Sequence, residues 1–317
     1  MDTLIFVDVD GVLNIGIRDG DRPALLLCET NATWAREREE RSARRAGVAK
    51  MLSAAERFAD AICLGDQHCA ESLVQRLTAI MRAAGDRTSV VLSSNWRKTR
   101  HASRVDRLQD RISKHLGEDF EFDARTEDAR EVCAVDRLKS IGAHIRTHYA
   151  LQRHEEGWNG ELRPLQVVIL DDFFVSALDG WECEGRAMHR AEDVEAYVRG
   201  VAPAGADVRA KLLHCYEQWE TPEGFRVQAG TGLSESHVEE AKAFFRGEEV
   251  VSQEATRVAR MDSLPQHWVI PETPRKDRSV RRSAEQADAI KYQHAATSLT
   301  LCWAGIVSVL PLLCLHL

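Results

Sequence analysis

The sequence has no basic surplus, no paired C-x-x-C and few aromatics. Lys and Arg number 42 against 50 Asp and Glu, a net charge of −8, so the chain lacks the positive excess of a general nucleic-acid binder; a local basic groove is still compatible with that balance. Eight cysteines are scattered with no C-x-x-C spacing, which argues against a zinc knuckle or a disulfide framework and fits a reducing, cytoplasmic setting. No G-x-x-x-x-G-K-[ST] run is present, which excludes a P-loop kinase or ligase module. No internal repeat is visible. His144 and His148 lie four apart without the glutamate of H-E-x-x-H, so they read as surface histidines rather than a zinc pair. Met1 and Asp2 lead straight into a run of strand length, unlike a secretory leader.

Acidic and basic residues also vanish near the end. After Lys291 no charged residue follows, and 298–317 is apolar over about the length that crosses a bilayer. The basic cluster RKDRSVRR precedes it, the pattern of a segment whose flank stays cytosolic. The expectation is a C-terminal transmembrane anchor; a buried terminal helix is the alternative. Residues 248–297 are polar and proline-punctuated and read as a linker.

What is present is a series of apolar runs that end in polar residues. LIFVDVDGVLN drives a hydrophobic strand, residues 3–9, into Asp8 and Asp10 and turns on Gly11. TSVVLSSNWR (88–97) ends in Ser93, Ser94 and Asn95, and LQVVILDDFF (165–174) ends in Asp171 and Asp172. Between them, 69–85 and 135–152 carry apolar residues at helical spacing. Residues 32–60 read as a helix with a mixed, solvated charge face, and 224–247 as strand, turn and helix with Ser234 or Ser236 as the cap. Strands alternating with helices predict an α/β fold with a parallel sheet, whose ligand site lies outside the carboxyl ends of the strands.

That topology would gather four carboxylates at one edge. A like-charge pair 4 Å apart costs about 4 kcal/mol even at an effective dielectric of 20. Such a group needs a cation, and all-oxygen ligands completed by water and phosphate suit Mg²⁺. A carboxylate beside the metal can then attack phosphorus. Gly11 permits the sharp turn after the strand. Trp96 and Trp181 read as partial core.

Asp8-x-Asp10-Gly11-Val12-Leu13 after a strand, VVLSSNWR, Lys139 in RLKSIGAHI and VVILDD occur in the order of the four motifs of the haloacid dehalogenase (HAD) superfamily, and the chain resembles it over roughly residues 1–247. LSSNWR and FRVQAGTGLSESHVEEA look closest to the small HAD domains of RNA-repair proteins. The resemblance implies a Rossmann-like three-layer fold with a small cap or none. It implies Mg²⁺-dependent hydrolysis of a phosphate monoester, with nucleic-acid or nucleotide ends as one substrate class. Asp8 would be the nucleophile, and Asp10 the general acid and base, its carbonyl also ligating the metal. Ser93 would orient the phosphoryl group with help from Ser94 and Asn95, Lys139 would steady its charge, and Asp171 and Asp172 would hold the metal. Stretches 15–68 and 176–223 match nothing in the resemblance and are expected as a cap or inserts. The alternative expectation is a catalytically idle HAD-fold binding module, tethered to a membrane.

Overall fold

The structure is a computed structural model, and it describes residues 1–18, 25–31, 33, 59–63, 68–127, 133–155, 158–173, 175, 180–220 and 226–248. The expected linker beyond 248, the apolar segment 298–317 and most of the charged helix at 32–60 lie outside the described residues. Among the described residues no helix is long and apolar enough to cross a membrane.

In chain order the elements are β1 (Asp2–Val7), β2 (Gly16–Arg18), β3 (Leu25–Leu26), α1 (Glu71–Ala84), β4 (Thr88–Leu92), α2 (Ala102–Leu116), β5 (Ala124–Arg125), α3 (Ala134–Arg153), β6 (Leu165–Asp171), β7 (Trp181–Cys183), β8 (Arg186–Met188), α4 (Ala191–Gly200), β9 (Val208–His214), β10 (Tyr216–Glu220), β11 (Arg226–Gly230) and α5 (Glu235–Arg246). Short 3-10 turns cover 95–97 and 99–101.

A five-stranded sheet in the order β5-β4-β1-β6-β9 forms the centre, every pairing parallel. Helices cover both faces, which is why β1 and β6 are buried along their whole length and read as unbroken apolar runs. The pleat sorts their side chains: Ile5 and Val7 face one core with α1, α2 and α5, while Leu4 and Phe6 face the other with α3 and α4. Each such buried aliphatic side chain contributes about 1.5–3 kcal/mol. The result is a three-layer α/β architecture compatible with a Rossmann-like fold.

The chain runs from β1 to β4 and β5 on one side, then to β6 and β9 on the other. This reversal beside β1 makes the carboxyl ends of β1, β4 and β6 the place where sheets of this kind bind ligands. The stretch 176–223 supplies more than an insert: it holds the β7–β8 hairpin, α4 and the edge strand β9. A second sheet, β10-β11-β2-β3, is antiparallel and brings 226–230 against 16–18. The α5 helix is capped by Ser234, whose hydroxyl accepts the His237 N–H.

Candidate functional site

Main-chain bonds bring three strand tips side by side. The Asp8 N–H donates to the Leu170 carbonyl and the Ser93 N–H to the Val7 carbonyl. Asp8 therefore stands between Ser93 on β4 and Asp171 on β6. The carboxylates of Asp8, Asp171 and Asp172 are buried, and a ligand oxygen from each lies within 4.8 Å of the others. These are the residues that could hold a metal, and an all-carboxylate donor set suits a hard divalent cation such as Mg²⁺.

Arg137, in the first turn of α3, points into this cluster. Its Nη1 donates to Asp8 Oδ2, and to both Asp171 oxygens at 2.8 Å. Burial alone would lower the Arg137 pKa, but the charges of Asp171 and Asp8, and then Asp172, outweigh it and raise it further. Burial holds Asp171 well above the usual carboxylate range against the pull of Arg137. Three buried carboxylates lie together here, so the cluster is acid-rich. Lys139, the sequence's choice for the cation, is instead exposed on α3. They lie two positions apart, and a two-residue step turns a side chain to a different face of the helix. The arginine stands in VDRLKS just ahead of the lysine that the motif favours.

The Asp8 carboxylate is held at both oxygens: Oδ1 accepts the Val9 N–H at 2.7 Å, while Oδ2 accepts Arg137. The turn that follows is tightly closed. Gly11 has φ +88°, and a Cβ there would meet Asp172 Oδ2 at 2.3 Å. Gly230 comes so close that its own Cβ would lie 2.2 Å from Gly11 Cα. The Gly232 and Leu233 N–H groups donate to the carbonyls of Gly11 and Val12, both at 2.9 Å. The tail segment after β11 therefore braces the Asp8–Asp10 loop.

Asp10 lies apart from the three-carboxylate cluster, with its residue surface exposed at the mouth of the site. Asn14 Nδ2 donates to its Oδ1 at 3.1 Å, and the Trp96 indole to its Oδ2 at 3.2 Å. Asn14 also accepts the Gly11 N–H at 2.9 Å and donates to the His68 carbonyl at 2.9 Å, fixing the loop from within. Loss of hydration, and then the charge of Asp8, raise the Asp10 pKa, against the hydrogen bonds of Asn14 and Trp96. Neither Asn14 nor the indole N–H of Trp96 was singled out from the sequence; an Asn four residues after Asp10 in a turn was the available signal.

On the β4 side the buried Ser93 hydroxyl has no partner among the described residues, and the same holds for Asn95 Oδ1 and for Thr126 Oγ1 just past β5. Ser94 is buried and occupied: its hydroxyl accepts the Trp96 N–H at 3.3 Å and its carbonyl accepts Arg97 Nη1 at 2.9 Å. An unmatched buried hydroxyl costs roughly 1–3 kcal/mol, which a polar ligand would relieve.

No protein-family model, no curated protein and no solved structure matches this chain.

Proposed function

We propose that the chain is a phosphatase of the HAD type, hydrolysing a phosphate monoester through an aspartyl-phosphate on Asp8. The observation that carries this reading is the buried Asp8–Asp171–Asp172 cluster at the carboxyl edge of the parallel sheet, with the unmatched Ser93 hydroxyl on the next strand. A Mg²⁺ ion held by Asp8, Asp171 and Asp172 would neutralise charge on the transferring phosphoryl group.

The chain's own residues supply the rest. An Asp8 oxygen attacks phosphorus, the P–O bond to the alcohol breaks, and Asp10 donates its proton to the departing oxygen. Ionised Asp10 then takes a proton from water. That water attacks phosphorus, breaks the acyl-phosphate P–O bond and frees Asp8 and inorganic phosphate. Arg137 counters the charge shared by Asp8 and the phosphoryl group, and Ser93 donates to a phosphoryl oxygen. Asn14 and the Trp96 indole aim Asp10.

The test is turnover of an aryl phosphate by the purified chain with Mg²⁺. Asp8→Asn is expected to abolish it, and full activity in that variant removes Asp8 as nucleophile. The Arg137 bond to Asp8 favours one second reading, an idle fold that binds phosphorylated partners through the same edge. Absence of turnover across a panel of phosphate esters, with phosphate binding retained, would select it.

A further inference from the structure

The segment that follows β4 carries a second feature of the site mouth. Lys98, Arg100, His101 and Arg104 lie on the short turns and the start of α2. Lys98 and Arg104 are half-buried and Arg100 is exposed. Arg104 stands over the Trp96 ring at 5.7 Å, and the indole of that ring donates to Asp10 at 3.2 Å. The charges of Arg104, Arg100 and Lys98 act on His101, and that of Asp10 acts on it in the opposite sense. The group is thus continuous with the place where the leaving alcohol would depart.

Several basic residues of the chain are paired. Arg76, Arg111 and Arg163 each hold a carboxylate. Lys98, Arg100 and Arg104 have none among the described residues, and Arg100 Nε donates only to His101 Nε2 at 3.0 Å. In a chain of net charge −8, three cations with no carboxylate partner among the described residues repel one another along this segment. An anion arriving with the substrate offsets that repulsion. It must sit on the leaving-group side of Asp10, because the phosphoryl group itself belongs with Ser93 and Arg137.

We infer that Lys98, Arg100 and Arg104 form a subsite for a second phosphate, so that the enzyme selects bisphosphorylated esters over monophosphates; this rests on the phosphatase reading above. A phosphate offers several acceptor oxygens to guanidinium and ammonium donors, and long cationic side chains fit a group whose distance from the reacting phosphorus is set by the substrate skeleton.

The experiment is a calorimetric titration of the full chain carrying Asp8→Asn, with Mg²⁺, against two pairs of probes. One pair is adenosine 5′-monophosphate and adenosine 3′,5′-bisphosphate; the other is fructose 6-phosphate and fructose 1,6-bisphosphate. Tighter binding of a bisphosphate by about tenfold or more is expected in at least one pair, and the pair that shows it identifies the skeleton. Lys98→Gln with Arg100→Gln should reduce that preference to less than about threefold. Raising salt from about 0.05 M to about 0.5 M should shrink it in the unsubstituted rim, a readout that needs no rim variant to fold. Equal affinities within both pairs, or a preference untouched by both the rim substitutions and salt, overturn the subsite. Turnover by the wild-type chain is measured separately. Its absence alongside a rim-dependent preference would remove the phosphatase and keep the second-phosphate site, whereas turnover without preference would do the reverse.

Discussion

At the amino end of β1, the buried Asp2 carboxylate accepts Arg163 Nε at 2.9 Å and Gln152 Nε2 at 3.1 Å, with His148 3.4 Å away. Arg163 reaches on to Glu155, so acids and donors are matched. At the carboxyl end of the same strand, Asp8 and Asp171 share Arg137 with Asp172 beside them, and the Ser93 hydroxyl just past β4 has no partner among the described residues. Both ends bury an aspartate against an arginine. Only at the carboxyl end do three buried carboxylates crowd together, and that end is the one the sheet topology marks for ligands. A balanced buried network reads as structure; an unbalanced one stores a cost that a ligand can relieve.

The sharpest way to break this contrast is Arg137→Met. It leaves the buried carboxylates of Asp8 and Asp171 without their cation and should lower stability by about 3–5 kcal/mol in the absence of divalent ions. Chemical denaturation with and without Mg²⁺ reads it, and Mg²⁺ should return part of the loss by binding the folded state. Unchanged stability would mean that the carboxylates need no counter-charge. Next comes Asp172→Asn, expected to gain about 1 kcal/mol without metal by removing one of the repelling charges. The same variant should lose most of the stabilisation that Mg²⁺ confers on the wild type, seen as a smaller shift in melting temperature.

The matched end should behave differently. Arg163→Met removes one of three partners of Asp2, and its side chain is 37% exposed, so solvent already screens the pair. A loss of about 1 kcal/mol or less is expected, and the proposed aryl-phosphate turnover should be unaffected because the substitution lies at the opposite end of the strands. A drop in turnover on this variant would contradict the separation of the two ends.

Much of the carboxyl end was legible in the sequence, and the illegible part has a common cause. The runs ending in Asp8, Ser93 and Asp171 announced β1, β4 and β6, because strands buried on both faces must be continuously apolar. The strand–turn–helix at 224–247 was also readable from Ser234 and the glycines around it. The two-residue β5 and the more mixed β9, VRAKLLH, carry no such signal, since edge strands need less apolar surface. The antiparallel sheet was hidden because β2 and β11 pair across almost the whole described chain. Within the site, residue types on strand tips were readable, whereas helix phase was not. Arg137 and Lys139 differ by two positions in one amphipathic helix, and only the packing of α3 on the sheet decides which enters the cleft.

The smallest effect concerns pH at the matched end. Burial lowers the pKa of His148 from 6.5, against the pull of Asp2, and burial likewise lowers His144, which packs edge-on against Phe6. The unfolded chain therefore takes up protons near pH 6.5 that the folded chain still refuses. Above that pH neither state carries the extra protons and the two histidines are neutral to stability; as pH falls from there toward their lower folded values, stability declines. His148→Gln should flatten this decline between about pH 7.5 and about pH 5.5, leaving the share due to His144. Denaturant midpoints measured across that range check it. A slope identical to that of the wild type would show that His148 protonates as readily in the folded chain as in the unfolded one, and that the amino end is less tightly packed than its hydrogen bonds imply.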